Sequence, residues 1–419
     1  MFTDEPKLND LAWMRGISRR DFLRRGTAFV GAAAIGGALA ACGGGNEGAA
    51  PAPPAEEPAA PPAEGGGAAG GSVSWLSWPG HNDPSFIKPF TDETGITVKG
   101  KEYSGGDNML ALATTSPAGT FDVVQADAEY IALLHDAGLL VPLDPADFPD
   151  INDYWPEFGL QSNFPNLFFD GTPYGFIQRF GHLNIAYNTK YLSEADVDTY
   201  AILSDEKVKG KVGWFDWWAH MGPISLYEGA KGSWWPAGQL DPYNITDDQF
   251  KTMTDSVFAL KPQTAGFYSI ADIFTAFANE DIWVQTAGGD WTALLLADQG
   301  HPIKAHTPKE GTIQWTECVG IFKDSKNPEG AKEFVQYCIS PRGQVQTAII
   351  PAYQASIPSK TGWELMDQEH PDWAERLGLK LDGPNILDFY HSGLVSIRKI
   401  PVQQTIEEWN DAWTQFKAL

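Results

Sequence analysis

Few of the residues able to do chemistry fall into a catalytic pattern. His81, His182 and His220 make no His-Glu-x-x-His pair, so no zinc or other metal site is expected. No Gly-x-Ser-x-Gly elbow and no serine–lysine signature occurs. Asp144, Asp147, Asp150 and Asp153 recur at every third position. Calcium would use such carboxylates, but the spacing is not that of an EF-hand loop, and helix or turn caps account for it better. Asp290 and Glu317 are acids that in principle form a glycosidase pair, which needs a set separation in space. Cys318 and Cys338 either pair as a disulfide, if the chain is exported, or stay as two buried thiols.

The chemistry near the start of the chain concerns export. Ser18-Arg19-Arg20-Asp21-Phe22-Leu23 matches the twin-arginine export motif. An Ala- and Gly-rich stretch from Gly26 to Ala41 follows, too short and too weakly apolar for a stable membrane span. It ends in Leu39-Ala40-Ala41-Cys42-Gly43, which resembles a bacterial lipobox. Cleavage before Cys42 and lipidation of its thiol and new amino terminus are expected. An uncleaved N-terminal anchor is the plainer alternative. Residues 43–71 are Gly, Ala, Pro and Glu with nothing to bury, and read as a disordered or extended tether. Gly43–Gly45 and Gly65–Gly67 lie in it and cannot form a phosphate loop. The expectation is export by the twin-arginine route and a lipid anchor at the outer face of the cytoplasmic membrane.

Beyond the tether, extended and helical segments alternate. Strands are predicted over Ser72–Trp78, Ile96–Val98, Phe121–Ala126, Lys211–Phe215, Ile282–Gln285 and Ile313–Phe322. Helices are predicted over Pro84–Thr94, stopped by Gly95, and over Ala128–Ala137, Thr292–Gln299 and Pro328–Ile339. Val402, Ile406, Trp409, Trp413 and Phe416 form one apolar face of a last helix. Such alternation predicts α/β architecture with largely parallel sheets. The 419 residues suit two lobes better than one.

The formal net charge is −25. So acidic a chain argues against a nucleic-acid partner, which needs clustered Lys and Arg. The charge either draws a cationic ligand from afar or serves solubility.

Several stretches, in order, resemble the bacterial extracellular solute-binding proteins of the spermidine/putrescine type. They are Phe90-Thr91-Asp92-Glu93-Thr94-Gly95-Ile96, Phe121-Asp122-Val123-Val124, Ala137-Gly138-Leu139-Leu140, and Tyr174-Gly175-Phe176 with Ile185-Ala186-Tyr187-Asn188. Gly300-His301-Pro302-Ile303, Pro308-Lys309-Glu310-Gly311 and Ala331-Lys332-Glu333-Phe334-Val335 complete the set. The resemblance implies a type II periplasmic-binding-protein fold, α/β and two-lobed, with a ligand cleft between the lobes. It also implies no enzymatic activity and no cofactor, an ABC transporter permease as partner, and a monomer. The organisation expected is a signal segment over 1–42 and a tether over 43–71. Lobe 1 takes 72–180 and 316–360, lobe 2 takes 181–315, and 361–419 is a helical segment packing across the lobes.

The resemblance also implies cleft positions. Trp78 and His81 follow the first strand, and Asp127 and Glu129 the third. Asp216, Trp217, Trp218 and His220 follow the strand at Lys211–Phe215, Asp290 with Trp291 lies at a second-lobe turn, and Trp315 and Glu317 lie on the returning strand. Tyr353 matches a late tyrosine. The aromatic that the family carries at the second-lobe turn falls on Gly289 here, and two of its acids fall on Trp217 and His220. Carboxylates with aromatic faces suit a protonated amine whose methylenes need burial. A small cationic amine is therefore the expected ligand, with an amino-acid-like molecule or a sugar as alternatives. An exported hydrolase is the rival from another class. Arg179, near the crossover between lobes, either pairs with a cleft acid or reads a ligand carboxylate.

Overall fold

The computed structural model describes residues 71–352 and 354–419. The signal segment, Cys42, the tether up to residue 70 and Tyr353 lie outside the described residues.

Thirteen strands are described. The first six are β1 (Ser72–Ser77), β2 (Thr97–Glu102), β3 (Val123–Asp127), β4 (Phe168–Phe169), β5 (Thr172–Pro173) and β6 (Phe176–His182). Then come β7 (Ile185–Asn188), β8 (Val212–Phe215), β9 (Thr264–Tyr268), β10 (Val284–Gln285), β11 (Ile303–His306), β12 (Thr312–Ile321) and β13 (Val395–Ile397). They form two main sheets. One runs β13-β12-β3-β1-β2, with β6 also paired to β12, and the other runs β11-β7-β10-β8-β9. β4 and β5 make a small separate hairpin. The fold is α/β and two-lobed, one sheet per lobe.

Both sheets are mixed rather than largely parallel. β1 lies parallel to β2 and β3, but β12 runs antiparallel to both β3 and β6. In the other sheet β7 is antiparallel to β10 and β11. The returning strand is the cause: β12 comes back from the second lobe to a sheet built by strand–helix–strand units, so it enters in the opposite sense.

The chain first crosses between sheets at Leu183–Asn184, between β6 and β7. It returns across residues 307–311, between β11 and β12. β12 lies wholly in the first sheet, so a lobe boundary at 315/316 would fall inside a strand. Residues 361–419 divide their packing. Trp363 and Met366 join Val345 and Leu379 in one core cluster. β13 pairs with β12. The last helix, Ile406–Ala418, packs Trp413 and Phe416 against Trp214 of β8 rather than lying across both lobes.

Local rules explain the helices read from the sequence. Pro84–Thr94 begins on Asp83, whose carboxylate accepts the Ser85 N–H, and ends at Gly95 with φ +73°. Pro328–Ile339 is capped by Asn327. The first core is aromatic: Trp75 of β1 meets Phe86 at 5.7 Å and Phe334 at 5.0 Å between ring centroids. Cys318 and Cys338 are both buried and free, not a disulfide. The spaced aspartates tie local structure together: Asp144 caps Ala146, Asp153 accepts from Ser359 and Thr361, and Asp147 pairs with Lys332.

Candidate functional site

Three neighbouring strands of the first sheet set the chemistry. Glu317 of β12 lies in register with Asp127 at the end of β3 and with Arg179 of β6. A row of acid, acid and guanidinium results, on strands about 4.8 Å apart. Trp315 precedes Glu317 by two residues, so both side chains fall on one face of β12. Gly181 lies opposite Trp315 in register, and a Cβ there would stand 2.7 Å from the indole ring. The glycine is what lets the ring lie across β6.

The row faces a cavity with about 440 Å³ of empty space, open to solvent. Trp78, Asp127, Trp217, His220, Trp291, Trp315 and Glu317 line it, seven of the thirteen expected positions. Leu183, Phe215, Ile270 and Arg398 complete the wall. Trp78 meets Tyr103 at 4.8 Å and Trp217 at 6.4 Å between centroids.

The other expected positions do different work. His81 stands one layer behind, fully buried, with Nδ1 2.8 Å from the Gln125 amide and Nε2 against Arg179 and Glu317. Burial and the Arg179 charge lower its pKa well below the usual range, so it is neutral. Glu129 is buried behind the cavity and accepts from Arg398 Nε at 2.6 Å. Asp216 is an exposed residue turned away from the cavity; it accepts from Lys417 Nζ and Trp413 Nε1, both at 2.8 Å. Asp290 is not in the wall; it accepts from Asn184 Nδ2 at 2.6 Å and lies 3.4 Å from His182 Nδ1. Asp216 and Asp290 both sit one position away from a cavity-lining aromatic, and the turn geometry sends the acid outward while the ring goes in. Trp218 is fully buried against Tyr243 and Trp409 and is not in the wall, and Tyr353 lies outside the described residues.

The second-lobe turn shows why a glycine replaces the family's aromatic. Gly289 has φ +70°, and a Cβ on it would overlap the His182 carbonyl. Trp291, two residues later on the helix Gly289–Asp298, puts the ring into the cavity instead.

Arg398 was not legible as a cavity residue. It follows β13, its backbone N–H donates to the Gln314 carbonyl at 2.9 Å, and its guanidinium contacts Asp127 and Glu129. Its Cζ lies 4.5 Å from the Trp217 ring centroid. Arg179 is fully buried and pairs with Glu317, Nε to Oε2 at 2.7 Å.

Burial dominates the acids. It raises Glu317 to about 6 against the pull of Arg179, and Glu129 to about 7 against the pull of Arg398. Asp127 is raised for the same reason. His220 falls to about 3 through burial and the nearby Arg398 charge. The indole N–H groups of Trp217 and Trp315 and Nδ1 of His220 are buried without a hydrogen-bond partner. The cavity therefore offers aromatic faces, two carboxylates, a guanidinium and three unspent ring nitrogens.

Known proteins share this fold. A family model described as "Bacterial extracellular solute-binding protein" matches residues 85–376. The chain is 23% identical over 286 residues to "Spermidine/putrescine-binding periplasmic protein 1" of Haemophilus influenzae, covering 68% of this chain and 75% of that one. Among solved structures it resembles the spermidine/putrescine ABC transporter substrate-binding protein PotD of Streptococcus pneumoniae, with TM-score 0.65 and 20% identity over 83% of this chain and 98% of that one. It is also similar to the periplasmic binding protein MotA of A. tumefaciens in complex with glucopine, with TM-score 0.65, 14% identity, and 83% and 99% coverage.

Proposed function

The chain belongs to the bacterial extracellular solute-binding proteins, and from that premise we propose that it is the extracytoplasmic receptor of an ABC importer for a small cationic amine. One observation carries the ligand class. Asp127 and Glu317 open onto a cavity walled by Trp78, Trp217, Trp291 and Trp315. Aromatic faces attract a cation and bury its methylenes, and the carboxylates supply the counter-charge. The spermidine/putrescine-binding protein of Haemophilus influenzae supports the same class. The receptor is a monomer held to the outer face of the cytoplasmic membrane by lipid on Cys42 after twin-arginine export, and it delivers its solute to permease subunits without chemical change.

A second reading has its own support. The unpartnered N–H groups of Trp217 and Trp315 suit a ligand that carries oxygen acceptors beside its ammonium, such as an amino-acid-like molecule.

Isothermal titration with amines, amino acids, sugars and dicarboxylates tests both. An amine is expected to bind, and Glu317→Gln to weaken it about tenfold or more through the loss of one charge-assisted contact. Tight binding of a sugar or dicarboxylate with no response to any amine overturns the ligand class.

A further inference from the structure

We propose that Arg398 is a built-in cation that occupies one ammonium's place in the cleft, so that the protein selects ligands with one cationic group over those with two or more. The inference rests on the reading of the site as an amine receptor.

The cavity wall and the side chains bonded directly to it contain three carboxylates, of Asp127, Glu129 and Glu317, and two guanidiniums, of Arg179 and Arg398. The facing histidines His81 and His220 are held neutral by burial. Fully ionised, the group carries one excess negative charge, which a single ammonium cancels. Arg179 holds Glu317 from behind and is fully buried, so it is part of the wall. Arg398 differs, because it lines the cavity itself.

Arg398 also satisfies the two demands an amine would make. Its guanidinium engages Asp127 and Glu129, and it stacks over Trp217 at 4.5 Å. Carboxylates on one side and an aromatic face on the other are the features the proposed site offers a ligand cation. A diamine entering the same cavity would bring its second charge towards a permanent guanidinium whose acids are already engaged. Arg398 is itself buried, so that repulsion is screened less than between exposed charges. The main chain fixes the arginine there. Its N–H is bonded to Gln314 of β12, and the following residues are tied to the second lobe through Lys399–Asp241 and the Val402 N–H on the Tyr243 carbonyl.

Matched amines of one carbon length test the proposal by titration calorimetry on the full chain: n-butylamine with one charge, 1,4-diaminobutane with two, and spermidine as a longer trication. Wild type is expected to bind the monoamine at least as tightly as the diamine. Arg398→Met frees Asp127 and Glu129, and the ratio should swing towards the diamine by about tenfold or more. Arg398→Lys keeps the charge and should keep the wild-type order. Circular dichroism and thermal melts check that both variants fold. The wild-type ratio is decisive by itself if Arg398→Met does not fold. Wild type binding the diamine or spermidine more than about tenfold tighter than the monoamine overturns the role of Arg398 while leaving the amine receptor intact. So does a ratio unmoved in Arg398→Met. Failure of every amine to bind wild type overturns the receptor reading and this inference together.

Discussion

Glu317 has Asp127 on one side, Arg179 on the other and His81 behind. Burial raises its pKa to about 6, above the ordinary value of 4.5, so in the empty protein it holds a proton through the range where an exposed glutamate has lost it. A cationic ligand stabilises the ionised form. Below about pH 6, binding must first expel that proton; above it, the carboxylate is ready. Affinity for an amine is therefore expected to rise by about tenfold between pH 5 and 7 and then level off. Titration calorimetry in buffers of different ionisation heat counts the released protons directly. Glu317→Gln should flatten the profile. An affinity that falls as pH rises through this window would contradict the assignment of Glu317 as the titrating group.

At the scale of the element, β12 is the organiser. It carries Trp315 and Glu317 on one face and pairs with β3, β6 and β13. Its place was legible, since the apolar run from Ile313 to Phe322 is a local signal and the aromatic-x-acid spacing matches the family. The helix Pro84–Thr94 was legible for a similar reason, with its cap and its terminating glycine both adjacent in sequence. Partners from distant segments were not. Arg398 sits 269 residues from Glu129, and no local pattern announces a contact closed by β13 joining β12. Asp216 was misplaced because its neighbour Trp217 points into the cavity and the carboxylate then points to Lys417. Trp291 was legible beside Asp290 at the second-lobe turn, and the positive φ of Gly289 explains why the aromatic cannot stand at Gly289 itself. Gly181 gives the test at this scale. Gly181→Ala should push the Trp315 indole off β6, raise the amine Kd about tenfold and cost about 1–3 kcal/mol of stability. Unchanged binding, measured by calorimetry on a variant that melts normally, would show that the pose of Trp315 does not matter to the ligand.

For the whole molecule, the α/β architecture followed from the order of strands and helices, two lobes from the length and the cleft from the family resemblance, whereas the mixed sense of the sheets followed only from where the chain recrosses. Export is tested by pairing Arg19→Lys with Arg20→Lys, which should block translocation, and by Cys42→Ala, which should release soluble protein or leave the precursor uncut. Persisting incorporation of radioactive palmitate into Cys42→Ala would refute lipidation at that thiol. The strand register holds one more consequence. Gln314 is the partner of both His182 and Ile397, and these three residues stand where the chain leaves for, or has just come from, the second lobe. The three passages thus start side by side in one row across the strands. A single link between two bodies leaves every rotation free, and three scattered links leave none. Three in a row leave one degree of freedom, a swing about the row, and resist twist and slide, as the knuckles of a door hinge do. The lobes should open and close about that axle, with Arg398, the residue next to Ile397, riding beside the pin.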